Sequence, residues 1–148
     1  MTLLPLALVT SLATAAPGAP SASTDERDVH SFGNPQEVRP THLSLDLTLR
    51  FDSKTILGVT ELTLAYPGSA RPAFLDLDTR DLKINKVSDT ATGQPLTFVL
   101  DPRVPNLGQR LHITLPSPPP QRVKVEYETS PGASALQWLD PQQTTSKR

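Results

Sequence analysis

Residues 43–51 read Leu43-Ser44-Leu45-Asp46-Leu47-Thr48-Leu49-Arg50-Phe51, and their alternation decides the fold class. Successive side chains of a β-strand point to opposite sides, so the five apolar residues at odd positions share one face while Ser44, Asp46, Thr48 and Arg50 share the other. A helix would scatter the leucines around its circumference. The segment therefore reads as a half-buried strand with its leucine face turned inward. Asp52-Ser53-Lys54 supplies turn residues. Residues 56–66 then read as the antiparallel partner, with Leu62, Leu64 and Tyr66 on one face and Gly58 as a candidate bulge.

Five more short apolar runs follow, at 74–77, 82–87, 96–100, 111–115 and 123–127. In the second of them Leu82 and Ile84 share one parity and Val87 takes the other, which predicts a bulge or strand end near Asn85-Lys86. Thr92-Gly93-Gln94-Pro95 forms a turn, and residues 101–109, with two prolines and Gly108, form a loop. Pro116-Ser117-Pro118-Pro119-Pro120 must interrupt any ladder, because proline has no N–H to donate. Seven strands are expected and no long helix, although Asp140-Pro141 is suited to cap one helical turn. This is an all-β chain of curved, mainly antiparallel sheets, saddle-like or sandwich-like.

With 148 residues the chain is long enough for one compact domain. Fourteen Lys and Arg against 15 Asp and Glu leave no basic excess for nucleic acid. The absence of cysteine excludes disulfides, thiolate metal sites and a cysteine nucleophile. Residues 1–15 combine an apolar run with Ala13-Thr14-Ala15, a small-x-small cleavage pattern, and are assigned as a signal peptide, although no Lys or Arg precedes the run. The expected location is secreted or periplasmic. The run falls short of the ~20 apolar residues that a stable membrane span needs. Residues 16–28, rich in Ala, Pro and Ser and ending on charged positions, read as a linker, and 29–148 as a partial N-terminal β domain.

The chemistry-bearing residues nominate no catalytic, cofactor-binding or metal-binding site. His30, His42 and His112 lack the His-Glu-x-x-His spacing that puts two ligands on one helical face, and each reads as a surface histidine. Asp76, Asp78 and Asp81 have neither a loop glycine nor a downstream bidentate Glu, so they read as turn caps and solvated carboxylates rather than a calcium loop. Ser31, Ser130 and Ser134 lack the Gly-x-Ser-x-Gly elbow of a nucleophile. The Pro-x-x-Pro run at 116–120 is a rigid spacer between strands before it is a ligand for an aromatic groove. Trp138, the lone tryptophan, stands between Leu136 and Leu139 as an anchor for the loop after the last strand; the competing reading is an exposed stacking surface for sugar or peptide.

The stretch around that tryptophan carries a family likeness. Ala135-Leu136-Gln137-Trp138-Leu139-Asp140-Pro141-Gln142-Gln143-Thr144 closely resembles the Ala-Leu-Gln-Trp-Leu-x-Pro-x-Gln-Thr segment of the aminopeptidase N / leukotriene A4 hydrolase family of zinc metallopeptidases. Asp28-Val29-His30-Ser31-Phe32, Asn34-Pro35 and the strand from Val38 to Leu49 are similar to the opening of those enzymes. Leu75-Asp76-Leu77-Asp78-Thr79-Arg80-Asp81-Leu82 looks like their Leu-Asp-x-x-Asp-Leu stretch, and Tyr127-Glu128-Thr129-Ser130-Pro131 runs into the fingerprint in the same order. Ser146 stands where relatives often carry Gly. The likeness extends from Asp28 to about Lys147.

The resemblance implies a non-catalytic N-terminal β domain that braces the catalytic domain of an exported zinc aminopeptidase and helps wall its peptide-substrate channel. On this reading the partners are the catalytic domain of the same polypeptide and, in the whole protein, peptide substrate. Zinc belongs to that catalytic domain and no cofactor to this chain, which is expected to be inactive alone. A truncated saddle should also expose an unpaired edge and apolar surface, so residues 25–148 are expected to associate or to be poorly soluble. The alternative is a stand-alone secreted β-sandwich that binds peptide or carbohydrate.

Overall fold

A computed structural model describes residues 28–68 and 71–144. The signal peptide, all of the linker but Asp28, and Ser146 with Lys147 lie outside those residues. All seven expected strands are present: β1 (Arg39–Arg50), β2 (Thr55–Ala65), β3 (Phe74–Thr79), β4 (Leu82–Asp89), β5 (Phe98–Leu100), β6 (Gln109–Thr114) and β7 (Arg122–Thr129). They form two antiparallel sheets, one of four strands in the order β1-β2-β7-β4 and one of three in the order β3-β6-β5. A single 3-10 turn, Pro141–Gln143, follows Asp140, whose N–H is held by the Gln143 side chain at 2.9 Å.

The inner faces of the two sheets enclose one core. Leu62, Leu64, Val87, Val123 and Val125 contribute from the larger sheet, and Leu75, Leu111 and Ile113 from the smaller, with Val38, Leu96 and Leu115 closing the ends. The irregularity anticipated at Asn85 is there, as a register shift between Ile84 and Lys86, and it returns Val87 to the inner face opposite Val125. Residues 116–120 separate β6 from β7, and the Tyr66 hydroxyl donates to the Pro120 carbonyl at 2.5 Å, fastening this rigid link to the sheet.

Two expectations are corrected. Gly58 is not a bulge: it pairs with Leu47 on one side and Tyr127 on the other in unbroken register, and the only β1–β2 shift lies between Pro40 and His42. The Tyr127 ring lies over Gly58, where any Cβ would collide with it, so the glycine makes room for an aromatic ring. The leucine face of β1 is not covered either. Leu43, Leu45, Leu47 and Leu49 are 42–52% exposed and Phe51 is 72% exposed. Leu43 pairs with buried Leu62, and directly paired residues point the same way, so the row does continue the inner face. The smaller sheet covers β2, β7 and β4 and stops one strand short of β1.

Candidate functional site

The turn between β3 and β4 gathers the residues that fix the family-like segment. Asp81 sits there with φ of +56°, a left-handed conformation that aspartate tolerates better than most residues. Its carboxylate accepts from the Ser134 N–H at 3.2 Å and the Ser134 hydroxyl at 3.0 Å, while Arg103 pairs with the other oxygen at 2.8 Å. Beside it the Ser130 N–H reaches the Asp81 carbonyl at 3.4 Å and Ala133 is buried. The chain thus leaves β7, is pinned at Asp81, and crosses the end of the larger sheet to reach β1.

At the far side of that crossing Trp138 meets Phe51 edge to face, with ring centroids 5.8 Å apart at 87°. Trp138 is half-buried and its Nε1 has no hydrogen-bond partner among the described residues. The ring therefore holds the corner where β1 turns into β2, rather than standing in solvent as a stacking platform. The open leucine row begins at this corner. Its members Leu43, Leu45, Leu47, Leu49 and Phe51 are all exposed among the described residues.

The three aspartates do more than solvate a turn. Asp78 accepts from the Ser31 hydroxyl at 2.7 Å and the Phe32 N–H at 2.8 Å, tying the segment before β1 to the smaller sheet. Asp76 meets His112 Nδ1 at 2.5 Å across β3 and β6, with Phe74 against the imidazole at 4.4 Å. Arg110 lies 3.8 Å from Asp76 and donates to one Asp101 oxygen, Oδ2, from Nη2 at 2.6 Å and from Nε at 2.7 Å. His112 does lie on the outer face, as its parity requires, but it is half-buried in this ladder rather than free on the surface. His30 and His42 are exposed and lie elsewhere. These partners are not legible in the sequence because Arg103, Arg110 and Ser134 are 22 to 53 residues from Asp81 and Asp76 and meet them only once the chain is folded. The Leu-Asp-x-x-Asp-Leu likeness was the only local signal.

No group of three or more His, Cys, Asp and Glu among the described residues could hold a metal ion. The one acid–imidazole pair, Asp76–His112, offers two donors with a guanidinium alongside. Among the described residues these two donors fall short of the three or four protein ligands of a zinc site.

The Asp81 contacts carry a pH signature. Hydrogen bonds from the Ser134 backbone and then its hydroxyl hold the Asp81 carboxyl below its usual range, with Arg103 and Arg80 adding to the effect and desolvation opposing it. A depressed folded-state pKa makes a contribution to stability that is complete above the unfolded value of about 4 and lost as pH falls through the lowered one. Ser134→Ala is therefore expected to lower the melting temperature at pH 7 and to converge on the parent in acid, once the pH has fallen through the lowered pKa. Parallel melting curves with a constant offset would show that Ser134 acts through packing alone.

The sequence is 40% identical over 124 residues to leukotriene A-4 hydrolase of Xenopus laevis, covering 81% of this chain and 20% of that protein. It is 33% identical over 131 residues to leucine aminopeptidase 2 of Yarrowia lipolytica, covering 87% of this chain and 20% of that one. Among solved structures, yeast LTA4 hydrolase in complex with bestatin superposes with a TM-score of 0.72 at 27% identity, over 86% of this chain and 20% of the enzyme. The chain thus spans about a fifth of the length of the relatives it matches. No family model matches it.

Proposed function

Since the chain belongs to the aminopeptidase N / leukotriene A4 hydrolase family of metallopeptidases and corresponds to its N-terminal region, we propose that it is the non-catalytic β domain of an exported aminopeptidase. Its task is mechanical: it braces a zinc-bearing catalytic domain of the same polypeptide and forms part of the wall along which peptide substrate lies. The observation that carries this reading is the agreement of sequence and fold over more than four-fifths of the chain with one-fifth of much longer enzymes. The side chains Asp76, Asp78, Asp81 and His112 support it, because they hold segments of the domain together. The alternative of a stand-alone module that presents Trp138 to sugar or peptide fits less well, since that ring is engaged with Phe51.

Two measurements test the proposal. The reading frame beyond codon 148 should continue and encode His-Glu-x-x-His on a helix; an in-frame stop at that point would sink it. The purified chain should not hydrolyse aminoacyl chromogenic substrates with or without added zinc. Turnover that disappears on chelation and returns with metal would instead place catalysis within these residues.

A further inference from the structure

Three stretches of chain that lie far apart in sequence converge on Asp81. Its Oδ1 takes Arg103 from the loop between β5 and β6, its Oδ2 takes the Ser134 N–H and hydroxyl, and its main-chain carbonyl takes the Ser130 N–H. Arg80, the preceding residue, donates back to the Asn106 carbonyl of that same loop. Among the described residues, every hydrogen bond that residues 130–144 make outside their own segment ends on Asp81. Nor does this strap supply any member of the core cluster shared by the two sheets. Its other attachments are the buried Ala133, the half-buried Leu136 and the ring contact of Trp138 with Phe51.

We infer that Asp81 is a latch for residues 130–144: protonating its carboxylate frees the strap as a unit and lifts Trp138 from Phe51 while both sheets stay folded. The charge is what makes the latch. An ionised carboxylate only accepts, so its two oxygens serve the arginine and the serine at once, and the charge strengthens both sets of bonds. A protonated carboxyl loses the ion pair with Arg103 and carries a hydrogen where N–H donors already point. The strap must then stay ordered on a few apolar contacts, whereas the core keeps all of its members. The charged neighbours of Asp81 are Arg103 and Arg80, with Lys83 of β4 and Glu128 of β7 lining the same hollow. Lys83 stands opposite Glu128 in the β4–β7 ladder, and the Ser134 bonds go to Asp81. Because those bonds depress the Asp81 pKa, release falls in acid, below the ordinary aspartate value of about 4. This inference rests on Asp81 and the strap alone and is independent of the family reading.

The full chain carries its own reporter, because Trp138 is its only tryptophan. On acid titration the Trp138 emission should shift to the red at a higher pH than the one at which far-ultraviolet circular dichroism loses the strand signal. Coincident transitions overturn the inference. Asp81→Asn removes the charge while keeping the size of the side chain and a residue that tolerates the positive φ of this position. At pH 7 this variant should already show the red-shifted emission, with amide exchange faster than the parent's at Ser130 and Ser134 and unchanged along β7. Parent-like emission in the variant, or loosening that extends along β7, overturns the latch. Glu128→Gln removes the neighbouring carboxylate and should leave the parent's emission transition in place. Loss of the transition in that variant would overturn the role of Asp81.

Discussion

Ile113→Ala is expected to cost about 2–5 kcal/mol in stability, whereas Ile113→Val should cost about 0.5–1.5 kcal/mol. Ile113 is fully buried at the centre of the smaller sheet, in register with Leu75 of β3 on one side and Phe98 of β5 on the other. Truncation removes three carbons from a place closed by both neighbours and by the facing sheet, so the cavity has little room to collapse. For a single domain with a net stability of order 5–15 kcal/mol, the alanine variant should be close to unfolding. Urea denaturation of the two variants gives the measurement, with the slope unchanged if only stability moves. An alanine variant within ~1 kcal/mol of the parent would mean that the two sheets do not close over β6.

Gly108→Ala should be the second most damaging substitution, at about 2–4 kcal/mol, because two penalties fall on one residue. Its φ is +99°, outside the range that residues with a Cβ adopt, and a Cβ there would run into the carbonyl oxygen of Thr79. That oxygen belongs to backbone at the end of β3, so it cannot swing aside as a side chain would. Gly93→Ala separates the two causes, since Gly93 has φ of +72° with open space around it, and should cost only about 1 kcal/mol. Equal losses in the two variants would show that the Thr79 contact contributes nothing. The outcome bears on the site, because Gly108 holds the end of β3 from which Asp81 is presented to Ser134.

How much of this was legible beforehand depended on the range of the interaction. The Leu82–Ile84–Val87 parity change is a local signal, and it located the β4 irregularity correctly. Gly58 carried a local signal too, but its cause lay across the sheet in Tyr127, nearly seventy residues along the chain, so the sequence pattern suggested a bulge where the structure has a ring. The same limit applies to the aspartates. Spacing alone denied them a metal-binding pattern, yet it could not show that Asp76 meets His112, that Asp78 holds Ser31, or that Asp81 holds Ser134 and Arg103. The setting of Trp138 between two leucines marks it as an anchor, but nothing local names its partner, because Phe51 reads in the sequence as part of an inward strand face.

The sequence by itself determined the secondary structure and the kinship: a period of two in apolar residues specifies strands and their faces, proline and glycine end them, and the Trp138 segment identifies the relatives. Only the tertiary structure decided which faces are covered. Alternation fixes the side to which a leucine points, because that is a property of its own backbone. Whether anything lies on that side depends on how many strands the opposing sheet supplies. Here it supplies three against four, and among the described residues nothing lies over the leucine row of β1.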